Sequence, residues 1–207
     1  MSFFKRDLNK EQVLGKYLDE IYLELNLYLI RINDLDLQHR GVDLIYEKND
    51  TKFYIDEKAQ LDYVNSDLPT FTFELSYLKN NYNKLGWLID DDKITTHYFL
   101  ITGIYANDEK DLSKGISKCK ITSVDRKKLI DYLNSIGLTQ EKLFNYQTEI
   151  RASNKKLKKT AIAELNDKTQ GCLFYSNHLK EEPINLQLRL KFLIEKNIAK
   201  TIYPKIN

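Results

Sequence analysis

Hydrophobic residues recur every three or four positions across residues 10–25, in the segment NKEQVLGKYLDEIYLEL. A repeat of this length places them on one face of an α-helix. We therefore predict that the segment is a helix that packs on a core through this face. The residues of the stripe are Val13, Leu14, Tyr17, Leu18, Ile21, Tyr22 and Leu25.

Three short apolar segments follow, and their spacing predicts strands. LNLYLIRI forms the first strand, and GVDLIYE, residues 41–47, forms the second. KFYIDEKA, residues 52–59, forms the third, after the polar turn KNDT. Two apolar runs joined by a short polar turn are typical of a β-hairpin, so we expect the second and third strands to pair.

The middle of the chain mixes helix and strand signals. Pro69, in DLPTFTFELSYLKNN, is a residue that the first turn of a helix accepts, so a helix is predicted to open after it. LGWLI and ITTHYFLITGIY predict two further strands around the acidic turn DDDK.

The rest of the chain adds helices around this sheet. SVDRKKLIDYLNSIG predicts a helix with Ser123 as its N-cap and Gly137 as its C-terminal stop. TQEKLFNYQTEI predicts another short helix, and residues 183–204 mix strand and helix patterns. The elements together predict an α/β (α+β) domain with a central mixed β-sheet flanked by helices.

Composition favours one soluble domain over residues 1–207. Only seven Gly and three Pro occur, so no flexible or proline-rich linker marks a domain boundary. The segment MSFFKRDLNKEQ becomes charged too early for a secretory signal, and no apolar run is long enough for a membrane helix. Cys119 and Cys172 are too few for a disulfide framework, so we expect a cytoplasmic protein with reduced cysteines.

The net charge of +2 is unevenly distributed along the chain. Residues 1–110 carry 13 Lys and Arg against 20 Asp and Glu, whereas residues 111–207 carry 19 against 10. An acidic half that holds metal and a basic half that holds phosphate would suit an enzyme acting on nucleic acid. Solvated surfaces that simply differ in charge explain the contrast equally well.

The predicted hairpin carries charged residues where strands usually carry Val or Ile. Asp56 and Lys58 point to the same face of one strand, and Asp43 stands on the partner strand. Two carboxylates buried together are unfavourable unless a cation neutralises them. Mg²⁺ takes one or two carboxylate ligands, and a nearby lysine can orient a water or stabilise negative charge at phosphorus. This combination predicts metal-assisted phosphodiester hydrolysis.

An Asp-x-Lys triplet is uninformative by itself in this chain. Only the triplet at residues 56–58 lies between FYI and AQ, in a predicted strand with another aspartate one hairpin away. The context therefore carries the prediction. The triplets begin at Asp50, Asp56, Asp91, Asp108 and Asp125.

RGVDLIY followed by FYIDEKAQ resembles the metal-site signature of the PD-(D/E)xK nuclease superfamily, the restriction-endonuclease-like fold. That family places an acid on one strand and an acid-x-lysine triplet on the next. The resemblance covers residues 10–105 and implies that Asp43 and Asp56 hold Mg²⁺ or Mn²⁺ and that Lys58 is catalytic. Val42 stands where the family has proline. The implied activity is a nuclease, acting on DNA in restriction, repair or a mobile element, with RNA as an open alternative.

Further residues are candidates for the same site. The family often adds an acid from a preceding helix, and both Asp19 and Glu20 qualify, because the periodicity does not choose between them. Two glutamines can contact phosphate, base or an attacking water, or can instead bond to the backbone. A glutamate on the helix predicted after the proline can reach the metal. These accessory candidates are Gln38, Gln60 and Glu74.

Basic residues cluster in RASNKKLKKTA. Such a cluster can bind a nucleic-acid backbone, with an affinity that falls as salt rises. A solvated loop explains it equally well. Arg40, beside the first acid of the hairpin, is a further candidate for phosphate binding. The cluster consists of Arg151, Lys155, Lys156, Lys158 and Lys159.

Two alternatives stay open at the level of the sequence. Asp43 and Lys58 can form a salt bridge on an exposed hairpin face, with Glu57 exposed and Asp56 capping a turn. The chain can also be a non-catalytic nucleic-acid-binding or protein-interaction module that retains the nuclease fold. A homodimer, common among nucleases that cut both strands, is compatible with the sequence but is not indicated by it.

Overall fold

The computed structural model describes residues 3–108, 111–153 and 158–205. These residues form a mixed arrangement of helices and strands. The helices are α1 Phe3–Glu24, α2 Leu35–His39, α3 Arg126–Ser135, α4 Gln140–Ala152 and α5 Leu190–Glu195. The strands are β1 Leu29–Arg31, β2 Leu44–Lys48, β3 Thr51–Ala59, β4 Thr70–Lys79, β5 Tyr82–Leu85, β6 His97–Ala106, β7 Ile116–Asp125, β8 Lys159–Thr160, β9 Gly171–Tyr175, β10 Ile184–Arg189 and β11 Ala199–Tyr203.

The chain divides into two compact units, each built from separated segments. Unit 1 consists of Met1–Leu68, Thr95–Val124 and Lys200–Asn207, and unit 2 of Pro69–Ile94 and Asp125–Ala199. Unit 1 carries 15 Lys and Arg against 17 Asp and Glu, and unit 2 carries 17 against 13. The charge contrast between the halves of the sequence is therefore weaker between the units. The expectation of a single domain for the whole chain stays a prediction.

Unit 1 contains a six-stranded mixed sheet in the order β1-β2-β3-β6-β7-β11. The first three strands are antiparallel neighbours. β3 and β6 are parallel, so a crossover connects them, because parallel neighbours cannot be joined by a tight hairpin. The expected central mixed sheet with flanking helices is thus present.

α1 packs on this sheet through the predicted apolar stripe. Leu14, Leu18 and Ile21 are at most 4% exposed. They belong to the same core cluster as Leu44 of β2 and Ile55 of β3. Burial of this apolar surface stabilises the contact by about 25 cal/mol per Å². The helix predicted from the sequence is confirmed, although it begins earlier than the periodicity indicates.

The β2–β3 hairpin is confirmed with its predicted polar turn. Asn49 and Asp50 occupy the turn with φ angles of 50° and 60°. The strands pair antiparallel from Leu44, opposite Ile55, to the turn. Two consecutive residues with positive φ match the twist of paired strands, and Asn and Asp tolerate this conformation better than most residues.

Unit 2 contains a five-stranded antiparallel sheet in the order β5-β4-β10-β9-β8. The helix predicted after Pro69 is wrong, because this segment forms strand β4. Alternate residues Phe71, Phe73 and Leu75 are at most 5% exposed, and this period of two is typical of a strand. The alternation and the strand preference of Thr and Phe outweigh the proline signal.

The strand predicted for LGWLI is also wrong. β5 ends at Leu85, and the chain then turns, with the Gly86 N–H donating to the Leu75 carbonyl at 2.8 Å. A Cβ on Gly86 would lie 2.3 Å from the carbonyl oxygen of Glu74, so this close approach requires glycine. Leu88 is fully buried. Leu88 is therefore apolar because it packs in the core, and not because it belongs to a strand.

The helices predicted for the second half of the chain are confirmed, with one different cap. Asp125 caps α3, and its carboxylate accepts from the Lys128 N–H at 3.0 Å. The predicted cap, Ser123, is buried in β7 instead. Gly137, with a φ of 86°, follows the end of α3 as predicted. The mixed strand and helix pattern near the C-terminus corresponds to β10, α5 and β11.

None of the helices in the described part of the chain is long and apolar enough to cross a membrane.

Candidate metal centre

The β2–β3 hairpin brings the two predicted acids together in unit 1. Asp43 directly precedes β2, and its N–H donates to the Ile55 carbonyl at 2.8 Å. Its carboxyl lies within hydrogen-bond distance of the Asp56 carboxyl on β3. Lys58, two residues beyond Asp56, shares its face of β3. The alternation of the strand thus joins three charged groups that are up to 15 positions apart.

Hydrogen bonds hold these groups in a compact cluster. The Lys58 Nζ donates to Asp56 Oδ1 at 2.5 Å, and Asp43 Oδ2 accepts from the backbone N–H of Glu57 at 2.8 Å. Asp56 is only 2% exposed, whereas the Lys58 side chain is 30% exposed. The cluster therefore combines one buried carboxyl with an amine that solvent can reach.

The buried carboxyl of Asp56 binds its proton more strongly than an ordinary aspartate does. Burial is the main cause that raises the pKa of Asp56 to about 7. The Lys58 ammonium opposes this rise, whereas the Asp43 carboxyl, close enough for a hydrogen bond, adds to it. A protonated carboxyl beside a second carboxyl forms a site where a divalent cation can displace the proton.

The alternative of an exposed hairpin face is wrong for Asp56 and Glu57. Asp56 pairs with Lys58 and lies within β3 instead of capping a turn. The Glu57 side chain, which that alternative leaves in solvent, is 13% exposed. The environment of the cluster is therefore largely desolvated, and its charges interact more strongly than at a surface.

Glu57, the middle residue of the triplet, lies on the α1 side of the sheet. The Tyr22 hydroxyl donates to its Oε1 at 2.6 Å, and the Arg31 Nη1 donates to its Oε2 at 2.7 Å. Burial raises the pKa of Glu57, and Arg31 opposes the rise. These contacts fix the backbone whose N–H binds Asp43. The sequence alone did not predict this network, although a charged Arg31 inside an apolar strand was a signal of the same kind as Asp43.

The acids proposed from α1 take other positions. Asp19 is exposed and accepts from the Arg31 Nη2 at 2.6 Å, and Glu20 is exposed to solvent. No group of three or more His, Cys, Asp or Glu side chains able to hold a metal occurs among the residues that the structure describes. The centre thus offers the carboxylates of Asp43 and Asp56, and one or two carboxylates are what Mg²⁺ usually takes from a protein.

A cavity of about 510 Å³ adjoins the cluster within unit 1. Asp43 and Lys58 line it, together with Arg31. The acid that α1 contributes to its wall is Glu11, two turns before Leu18, and not the predicted Asp19 or Glu20. Its position depends on how α1 packs on the sheet, which the periodicity of one helix does not give.

The accessory candidates are placed differently. Gln38 lines the cavity, and its Nε2 donates to the Ile32 carbonyl at 2.8 Å. Of the two roles predicted for this glutamine, its amide nitrogen takes the bond to the backbone. Gln60 is half-buried and precedes a short helical turn, with its N–H bound to the Ile101 carbonyl at 3.0 Å. Glu74 lies on strand β4 of unit 2 instead of on a helix. Its role at the metal stays a prediction.

The basic cluster is divided by the structure. The guanidinium of Arg151 is half-buried and donates to the Glu182 carbonyl at 3.2 Å and to the Ser76 hydroxyl at 3.0 Å. It is therefore anchored inside unit 2 instead of lying in a solvated cluster, and burial lowers its pKa. Lys158 and Lys159 are exposed. Lys155 and Lys156 lie outside the described residues, and Arg40, exposed at the end of α2, belongs to unit 1.

Comparisons with protein-family models, with curated proteins and with solved structures find no match to this chain. The chemistry of the centre must therefore be inferred from its own geometry.

Proposed function

We propose that this chain is a metal-dependent nuclease that hydrolyses phosphodiester bonds, with DNA as its substrate and a restriction-endonuclease-like core in unit 1. The observation that carries the proposal is the adjacent pair of Asp43 and Asp56, in which Asp56 is buried and the Lys58 ammonium lies 2.5 Å from one of its oxygens. A buried acid beside a second carboxyl is unfavourable for folding, and a catalytic role gives a reason for it.

The residues of the pair fit a divalent cation. Their two carboxylates are hard oxygen ligands, suited to Mg²⁺ or Mn²⁺. Such an ion, when bound, supplies Lewis-acid stabilisation of the charge that develops on phosphate. The hydrogen bond from the Glu57 N–H orients the Asp43 carboxylate and limits its rotation before a cation binds.

Lys58 is assigned the role of positioning the attacking water and stabilising negative charge. In hydrolysis the water oxygen bonds to phosphorus, one phosphorus–oxygen ester bond breaks, and a proton passes to the departing oxygen or to solvent. The Lys58 side chain is the partly exposed member of the cluster and lines the cavity. Its ammonium is therefore in a position to face a phosphate that approaches from the cavity.

Exposed basic residues would hold the nucleic-acid backbone outside the centre. Arg40 in unit 1 and Lys158 and Lys159 in unit 2 are the described members of the proposed set. Contacts of this kind neutralise phosphates and release counterions, so binding should weaken with salt. A homodimer that cuts both strands remains compatible with this proposal.

The test of the proposal is cleavage of plasmid DNA, single-stranded DNA and RNA in Mg²⁺ or Mn²⁺. Lys58→Ala should lower the rate by about 100-fold or more, because it removes a charge that stabilises the transition state. Lys52→Ala is the matched control, since Lys52 lies on the same strand in an exposed ion pair with Glu47. Cleavage by Lys58→Ala at the parental rate would refute the assignment. A non-catalytic module would bind DNA with a steep salt dependence and show no response to metal.

A further inference from the structure

Gly15 occupies an unusual position in the middle of α1. Glycine inside a helix is about 1 kcal/mol less favourable than alanine, so such a residue usually has a steric reason. A Cβ added at Gly15 would meet no atom within 4 Å. No close approach of another element therefore requires glycine here, and the open space beside it is the cavity that adjoins the acid pair.

The cavity has two kinds of wall. Leu14, Leu18, Leu61 and Ile101 give it an apolar side. Its polar wall is formed by the amides of Asn33 and Gln38 and by charged side chains that include Lys58 and Asp43. Its volume of about 510 Å³ lies within the range of roughly 300–1,000 Å³ that is common for small-molecule sites. The Arg31–Glu57 ion pair in its wall is internally neutralised.

These features together select a nucleic-acid base as the occupant. A base has an apolar face that packs against hydrophobic side chains and a polar edge that pairs with amides. Asn and Gln are side chains that commonly bond to base edges. A base lying in the cavity would leave its phosphate near Lys58 and Asp43, which line the same space.

We propose that this cavity binds one unpaired nucleotide of the substrate, with Gly15 keeping the space open for the base. The inference rests on the proposed nuclease function and deepens it. An unpaired base enters such a cavity without the cost of unpairing and unstacking, so the preferred substrates are single strands, frayed ends and extruded nucleotides. Intact blunt duplex is the disfavoured substrate.

Substitutions at Gly15 test nucleotide binding in the cavity without altering Asp43, Asp56 or Lys58. Gly15→Leu fills the space with a residue of high helix propensity, and Gly15→Ala adds one carbon. Lys16→Leu is the matched control, because Lys16 is the next residue of α1 and is exposed. Binding of deoxyadenosine 5′-monophosphate and thymidine 5′-monophosphate is measured by calorimetry in Mg²⁺. Cleavage of a single strand and of a blunt duplex of the same sequence is measured in parallel.

We expect Gly15→Leu to weaken nucleotide binding at least tenfold and to lower single-strand cleavage at least tenfold. Gly15→Ala should show a smaller loss, and Lys16→Leu should match the parent within twofold. The thermal shift caused by Mg²⁺ alone should be retained in Gly15→Leu, which shows that the variant is folded and that its acid pair is intact.

The outcomes separate the two proposals. Parental nucleotide binding by Gly15→Leu overturns the cavity assignment and leaves the nuclease proposal standing. Equal cleavage of single strand and blunt duplex by the parent, without nucleotide binding, also overturns it. Nucleotide binding that is lost in Gly15→Leu, in a protein that cleaves no substrate and shows no metal response, supports the cavity and refutes the nuclease.

Discussion

Asp56 has surroundings unlike those of an ordinary exposed carboxylate. It is almost completely buried within β3, and its pKa of about 7 is set by burial, against the opposing charge of Lys58. In the unfolded chain the same carboxyl has its usual pKa of 3.8. The folded state therefore binds a proton that the unfolded state has released between these two values, and stability must fall as pH rises through this range.

Replacing Asp56 with Asn should remove this loss of stability. Asn mimics the protonated acid. The free energy of unfolding of the variant, relative to the parent, should therefore rise by as much as about 4 kcal/mol between pH 4 and pH 7 and stay constant above pH 7. Urea denaturation of the metal-free proteins between pH 4 and pH 8 measures the difference. Asp62→Asn, at an exposed position, is the control. A gain that is the same at every pH would contradict the role assigned to burial.

Tyr22 stabilises the other face of β3 through a single hydroxyl. Burial and the adjacent Glu57 carboxylate raise the pKa of Tyr22, so the hydroxyl stays protonated and donates. Tyr22→Phe should lower the free energy of unfolding by about 1–3 kcal/mol, because a buried carboxylate oxygen loses its donor. Chemical denaturation measures the loss, with Tyr28→Phe at an exposed position as the control. Equal stability of the two variants would show that the bond is not needed.

At the scale of elements, the hydrophobic pattern of the sequence predicted the structure correctly where a single face of the element is buried. The stripe of α1 has a single buried side, so its period of 3.6 residues was readable. β4 was misassigned because Pro69 suggested a helix start, whereas the burial of Phe71 and Phe73 follows a period of two. β4 pairs with β10 on one side and with β5 on the other, and these strands bind its backbone groups. The local sequence of β4 does not predict these neighbours.

The turn of the β2–β3 hairpin can be improved. Asp50 has a φ of 60°, which a residue with a Cβ adopts at a conformational disadvantage. Asp50→Gly creates the Asn-Gly sequence preferred in such turns and should raise the free energy of unfolding by about 0.5–1 kcal/mol. Asp50→Ala keeps the Cβ and should be less stable than the parent. Thermal denaturation of both variants checks the order, and a less stable Gly variant would contradict it.

At the scale of the whole molecule, each sheet belongs to one of two units that interleave along the chain. The acid pair, the lysine and the cavity all lie in unit 1. Occupancy of the centre by a cation should therefore be visible in the stability of the protein, because a ligand that binds only the folded state stabilises it.

Stabilisation by Mg²⁺ should increase with pH. Binding to the acid pair displaces the proton on Asp56, so apparent affinity should fall up to about tenfold for each pH unit below 7 and level off above it. Thermal shifts with Mg²⁺ at pH 6, 7 and 8 measure this dependence. Asp43→Asn should abolish the shift, and Asp62→Asn should retain it. A shift independent of pH, or unchanged in Asp43→Asn, would contradict binding at the pair.

The sequence by itself determined the helix stripe, the hairpin and the convergence of Asp43, Asp56 and Lys58. Each follows from a local period, since alternation along a strand and a short turn leave few arrangements. Only the tertiary structure decided that Glu11 faces the cavity, that Arg31 and Tyr22 hold Glu57, and that Arg151 is anchored inside unit 2. These contacts join elements distant in the chain, and their geometry depends on how helices and sheets pack, which no local pattern contains.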